Sequence, residues 1–169
     1  MSHGAVDRRH RLQRPDALQE RDKIKPAVER LTAHRQCYNA GFHRAAIVLG
    51  WCSAIDRIQK RLQVLGFAAF NAASTALKAQ TSGRHKRWNK GFNVTTLGDL
   101  QTVFDSDLIT VCEGMGLLDS NQADRLIDVD FQYRNHSAHP GEAPIEDPHL
   151  VAFFTDINAI ILTNPKFAV

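Results

Sequence analysis

The sequence is poor in cysteine and has no long apolar run, and each absence excludes a class of protein. Its three cysteines, Cys37, Cys52 and Cys112, are odd in number and far apart, so they form neither a disulfide framework nor a paired metal site. This usage favours a reducing, cytoplasmic setting. The apolar stretches near 45–54 and 151–154 are too short to span a membrane, and no signal peptide is visible in residues 1–20.

The signatures of several enzyme classes are missing as well. The chain contains no glycine-rich phosphate loop, no His-Glu-x-x-His motif and no Gly-x-Ser-x-Gly nucleophile motif around Ser137. His136 and His139 offer two metal ligands, but only Asp130 and Glu142 are near enough in sequence to add oxygen ligands. We therefore expect neither a metal nor a cofactor.

What the chain does contain is a helical apolar period in an ordinary globular composition. Its 169 residues predict one domain, and a hydrophobic share of 43% is enough to fill one core. Apolar residues recur at steps of three and four in nearly every long segment, whereas β-branched runs are few. This pattern predicts an all-α antiparallel bundle of about five helices over residues 21–169, after a flexible basic segment at residues 1–20.

Local signals predict where the helices begin and end. The clearest helix runs through the apolar positions from Ile47 to Leu65 and stops at Gly66. The other predictions are a helix that begins at Pro26 and breaks at Ala40-Gly41, a helix over Phe67–Gln80, one from Leu97 to about Gly116, one opened by a capping box of Asp119 and Gln122 and running to about Asn135, and one capped by Asp147 that ends at Asn164-Pro165. The residues expected in the core are Ile47, Trp51, Ile58, Leu62, Leu126 and Phe153.

Charge is unevenly distributed along the chain. The predicted loop from Arg84 to Lys90 is basic, and Trp88 lies inside it, whereas residues 99–130 are strongly acidic. Cations that flank an aromatic ring suit phosphate contact and base stacking, so the loop is a candidate RNA-binding element. A solvated surface loop explains the same residues equally well. The residues concerned are Arg84, Lys86, Arg87, Trp88 and Lys90.

The segment Tyr133-Arg134-Asn135-His136-Ser137-Ala138-His139-Pro140 carries the side chains best suited to chemistry. Pro140 must end the helix, and a turn there would bring Arg134 and His139 together. A guanidinium can hold a phosphate through two hydrogen bonds, and an imidazole titrates near neutral pH. This pair therefore suits cleavage of a phosphodiester.

Arg134, four intervening residues and His139, with polar Asn135 directly after the arginine, resemble the R-x4-6-H motif of the HEPN superfamily. The stretch Tyr38–Ile47 resembles the start of a HEPN core helix, and the whole likeness covers roughly Pro26 to Phe167. It implies an α-helical bundle, commonly a homodimer, that cleaves RNA without metal. Other members only bind a ligand, and some are toxins or defence effectors paired with an antitoxin, often a nucleotidyltransferase.

Carried over to this sequence, the resemblance implies that Arg134 holds the scissile phosphate, that His139 is the acid/base and that Asn135 orients one of them. His136 is a candidate additional RNA contact, and Asp56, three residues after Ser53, is a candidate to face the site. Each residue has a structural alternative. Asp56 can pair with Lys60 and Arg134 with Asp130, each four residues apart. His139 can interact with the helix dipole.

Two functions from different classes follow. The first is a metal-independent endoribonuclease in which the 2′-hydroxyl of RNA attacks the adjacent phosphate. The second is a non-catalytic helical module that binds a nucleotide, an RNA or a partner protein. Cleavage that survives EDTA favours the first, and binding without cleavage favours the second.

Overall fold

The structure, a computed structural model, describes residues 33–139 and 144–169. Every regular element in these two ranges is helical, so the predicted all-α class is confirmed for them. The predictions for the basic segment 1–20, the helix start at Pro26 and the helix stop at Pro140 lie outside the described residues.

The elements follow one another with short connections, apart from the loop over 79–96. In chain order they are α1 (helical over 33–39), α2 (His43–Leu65), α3 (Phe67–Lys78), α4 (Leu97–Gln101), α5 (Asp105–Gly114), α6 (Ser120–Val129), the π-helical segment π1 (Asp130–Asn135), α7 (His136–Ala138), α8 (Asp147–Ile157), the π-helical segment π2 (Asn158–Leu162) and a 3₁₀ turn (Pro165–Phe167).

Helix α2 is the centre of the fold. It contacts α3, α4, α7, α8 and both π segments, while α3 packs on α5, and α6 packs on α5 and α8. The period of its apolar residues buries one whole face, which is why the sequence predicts this helix so clearly. All the expected core residues are buried, and they are Ile47, Trp51, Ile58, Leu62, Leu126 and Phe153.

A glycine allows α2 to approach α8 closely. A Cβ atom added to Gly50 would lie only 2.7 Å from Cε1 of Phe154 and 3.0 Å from Cε1 of Phe153. The first distance is shorter than a carbon contact allows and the second is tight, so a side chain at this position would have to displace the rings of Phe154 and Phe153. Glycine at position 50 therefore leaves room for these two rings of α8 against α2.

Two predicted boundaries are wrong. The single helix expected from Leu97 to Gly116 is two helices. After Gln101 the amides of Thr102 and Val103 bond to carbonyls three residues back, and Phe104 leaves the helical backbone (φ −59°, ψ 143°) before α5 begins. The last helix is capped by Glu146 rather than by Asp147, since Glu146 and His149 form the reciprocal box. In contrast, the capping box of Asp119 and Gln122 opens α6 as predicted.

Candidate functional site

The motif lies where a helix changes its winding. Helix α6 is followed directly by π1, which contains Asp130, Arg134 and Asn135, and then by the single turn of α7. A π segment widens the helix by one residue per turn and occurs frequently at functional sites. His139 follows α7 with an extended backbone (φ −103°, ψ 131°), so the helix ends one residue before the imidazole.

Arg134 is held by two neighbours on its own segment. Its Nη1 donates to Oδ1 of Asn135 at 2.7 Å, and its Nε lies 3.8 Å from Oδ1 of Asp130. The second contact is the four-residue ion pair predicted as the structural alternative. The side chain is still 40% exposed, and the guanidinium carries five N–H donors in all, so donors remain for an anion from outside.

Asp130 is a buried carboxylate below Arg134. Burial raises the pKa of its carboxyl, Arg134 opposes that shift, and the charge of Asp105 adds to it. No hydrogen bond reaches its Oδ1 within the described residues, and the same is true of Oγ of buried Ser137. Because this carboxylate is so poorly solvated, Arg134 is its main source of stabilisation.

The two histidines of the motif are exposed. The backbone carbonyls of both His136 and His139 accept hydrogen bonds from Nη1 of Arg44, each at 2.8 Å. In the described part of the chain, no hydrogen bond or ion pair joins the side chains of Arg134 and His139. The structure thus places both on one short segment without direct contact between them.

The predicted polar residues of α2 have local partners. Asp56 lies 2.9 Å from Nζ of Lys60, which is the pairing predicted as its structural alternative. Ser53 is buried, and its hydroxyl donates to the carbonyl of Leu49 at 2.9 Å. Neither of these contacts involves the motif on π1 and α7.

Two of the four lysines and arginines of the basic loop form ion pairs with the acidic region, and they are Arg84 and Lys90. Arg84 pairs with Asp124 and with Glu113 (2.9 Å to the latter), which raises the pKa of the guanidinium, Asp124 having the largest effect. Nζ of Lys90 donates to both carboxylate oxygens of buried Asp107 at 2.8 and 2.7 Å. These two cations therefore hold the loop on the bundle.

The rest of the loop differs in its surroundings. Trp88 packs against the core, with its ring centroid 6.2 Å from that of Phe92 and Nζ of Lys90 5.9 Å from its centroid. Lys86 and Arg87 are exposed and make no ion pair with any described residue. Of the five predicted contacts, these two are the cations placed to meet a phosphate.

The described residues lack both a metal-binding cluster and a membrane-spanning helix. They contain no group of three or more His, Cys, Asp or Glu side chains arranged to hold a metal ion. Among the helices of the same ranges, none combines the length and hydropathy that a bilayer crossing requires.

Sequence reasoning missed the role of two residues at the start of α2. His43 and Arg44 lie about a hundred positions before the segments they contact, so no local spacing links them to the motif. The only signal was indirect, since a helix that ends at Ala138 leaves carbonyl groups that need donors.

Comparison with known proteins adds no relative to this picture. No family model, no curated protein and no solved structure matches the chain significantly.

Proposed function

We propose that the protein is a metal-independent endoribonuclease with a HEPN-like arrangement of about five main helices. The observation that carries the proposal is the partly exposed guanidinium of Arg134, held by its neighbours, five residues before the exposed imidazole of His139 at the end of one helix. A permanent cation and a titratable group are the two elements that cleavage of a phosphodiester needs when no metal takes part.

The chemistry follows from the substrate. His139 accepts the proton of a ribose 2′-hydroxyl, the 2′-oxygen forms a bond to phosphorus, and the bond from phosphorus to the 5′-oxygen breaks. Arg134 stabilises the negative charge that builds on the phosphate oxygens, because a guanidinium is a permanent cation that can hold a phosphate through two hydrogen bonds. The products are a 2′,3′-cyclic phosphate and a 5′-hydroxyl, which needs a proton as it leaves.

A homodimer would supply that proton. A second imidazole, His139 of the other copy, is suited to act as the acid if the two motifs meet across a two-fold axis. Phe131, on π1, is 61% exposed, and Phe42, just before α2, is 65% exposed. Aromatic side chains are enriched in protein interfaces, so these two residues are our candidates for the dimer contact. Light scattering should give twice the chain mass, and Phe131→Asp should lower it.

The second candidate function is a module that binds RNA or a protein partner, such as an antitoxin or a nucleotidyltransferase, without cutting. The contact of Arg134 with buried Asp130 favours it, because that arrangement is also what a purely structural arginine would show. In this case the exposed histidines would have no catalytic role.

Labelled RNA and matched variants separate the two functions. The parent should cleave RNA in EDTA, and His139→Ala should lower the rate about 10²- to 10⁴-fold. His136→Ala removes the other exposed imidazole of the segment. As a candidate RNA contact without a role in proton transfer, it should lower the rate far less than His139→Ala does. Arg134→Lys should also be slow, since an ammonium does not replace the planar fork. Equal rates for the parent and His139→Ala would reject the proposal.

A further inference from the structure

The C-terminal end of α7, the helical turn just before His139, is held by a side chain from another helix. Helix α7 ends at Ala138, and the last carbonyls of a helix have no partner within it. Nη1 of Arg44, in the first turn of α2, donates to the carbonyl of His136 and to that of His139, each at 2.8 Å. A cation at a helix C-terminus is also favoured by the helix dipole.

The neighbouring residue holds the other side of the same connection. Nδ1 of His43 lies 3.1 Å from the carbonyl of Ile145, and its Nε2 lies 3.7 Å from a carboxylate oxygen of Asp147. Because a carbonyl only accepts, Nδ1 carries the hydrogen in this contact. Two consecutive residues of α2 thus fix the chain immediately before and shortly after residues 140–143.

We propose that Arg44 is the positioning residue for His139. It does so by fixing the main chain from which the imidazole projects, and not by touching RNA. The effect of Arg44 on catalysis rests on the proposed ribonuclease function. The anchoring of the main chain by Arg44 does not. The backbone of His139 is extended and lies outside the helix, so no intrahelical bond holds its carbonyl. Without Arg44 the main chain at His139 would no longer be held, and the imidazole would lose its fixed position relative to Arg134.

The kinetic test compares substitutions at Arg44 with the same substitution elsewhere on α2. Arg61→Gln is the matched control, because Nη1 of Arg61 also donates to a carbonyl, that of Ala168 at 3.2 Å. Arg44→Gln should lower kcat about 10²-fold, the cost of a misplacement of about 1 Å, and leave KM unchanged. Arg44→Lys should recover most of kcat, because both bonds come from one nitrogen and an ammonium has three donors.

Three kinetic results would overturn the inference. They are an equal loss in Arg61→Gln, a rise in KM with unchanged kcat in Arg44→Gln, which would make Arg44 an RNA contact, and a kcat for Arg44→Lys no higher than that for Arg44→Gln. Thermal melts of all variants show whether a loss of kcat merely follows a loss of fold.

Hydrogen exchange without RNA separates this inference from the proposed function. In Arg44→Gln the amides of residues 136–139 should exchange about tenfold faster than in the parent, since bonds to a charged donor are lost, while Arg61→Gln leaves them unchanged. Unchanged exchange in Arg44→Gln overturns the inference whether or not RNA is cut. Faster exchange in Arg44→Gln, together with a parent that cuts no RNA, would reject the ribonuclease and leave the anchoring in place.

Discussion

The basic loop provides a test in which two pairs of cations should behave differently. Lys86 and Arg87 are exposed and without ion pairs among the described residues, whereas Arg84 and Lys90 are bound to carboxylates. Each cation that releases a counterion from single-stranded RNA contributes about 0.7 to the slope of log affinity against log salt. Lys86→Gln with Arg87→Gln should therefore reduce that slope by about 1.4 and leave stability unchanged.

Replacing Arg84 and Lys90 should instead lower the stability of the fold and change the salt slope less. Arg84→Gln with Lys90→Gln leaves the carboxylate of Asp107, which is only 6% exposed, without its counter-ion. An unsatisfied buried group of this kind costs about 1–3 kcal/mol. At about 2–4 °C per kcal/mol for a chain of this size, the melting temperature should fall by about 2–12 °C. The salt slope should change less, because both charges are already neutralised within the protein.

Fluorescence anisotropy of a labelled single-stranded RNA, titrated at several KCl concentrations, measures the slope, and a thermal melt measures stability. The reasoning fails if both double variants reduce the slope equally at unchanged melting temperature. It also fails if Lys86→Gln with Arg87→Gln leaves the slope as it is in the parent.

Three further predictions concern stability. Trp51→Ala should cost about 3–5 kcal/mol and Ile47→Val only about 0.5–1.5 kcal/mol by denaturant unfolding, because the larger deletion leaves the larger cavity; similar costs would contradict the packing. Asp119→Ala should cost about 0.5–2 kcal/mol, since it removes the N-cap of α6, and unchanged stability would contradict the capping box. The pKa of Asp130 is raised in the folded protein, so the folded parent binds this proton more tightly than the unfolded chain does and loses stability as pH rises from acid to neutral. Asp130→Asn has no such proton to lose and should therefore gain stability relative to the parent over this range. A parent that becomes relatively more stable over this pH range would contradict that direction.

Local signals predicted most of the fold. The period from Ile47 to Leu65 with a following glycine predicts α2, and the spacing of Asp119 and Gln122 predicts the start of α6. Each of these depends on residues within one or two turns of each other. The break between α4 and α5 was missed because the apolar period continues across it.

The candidate site was less predictable, for a physical reason. The sequence identifies Arg134 and His139 by their chemistry and predicts the local pair of Arg134 with Asp130. The contact that holds the main chain at His139, in contrast, depends on the packing of α2 against π1 and α7. Arg44 meets the carbonyl of His139 across 95 positions, and nothing in the local spacing of either residue predicts this. In the same way, composition predicts a basic loop, whereas only the fold shows that Lys90 faces Asp107.

The chemical nature of the cleaved ends tests the central proposal most directly. Purified protein is incubated with a defined RNA in excess EDTA, and the fragments are weighed by mass spectrometry, with an RNA that carries one 2′-deoxynucleotide at the main cut site as the matched control. The proposal predicts a 2′,3′-cyclic phosphate on the upstream fragment, a 5′-hydroxyl on the downstream fragment, and no cut at the deoxy position. Fragments that end in a 3′-hydroxyl, cleavage at the deoxy position, or activity that EDTA abolishes would contradict it.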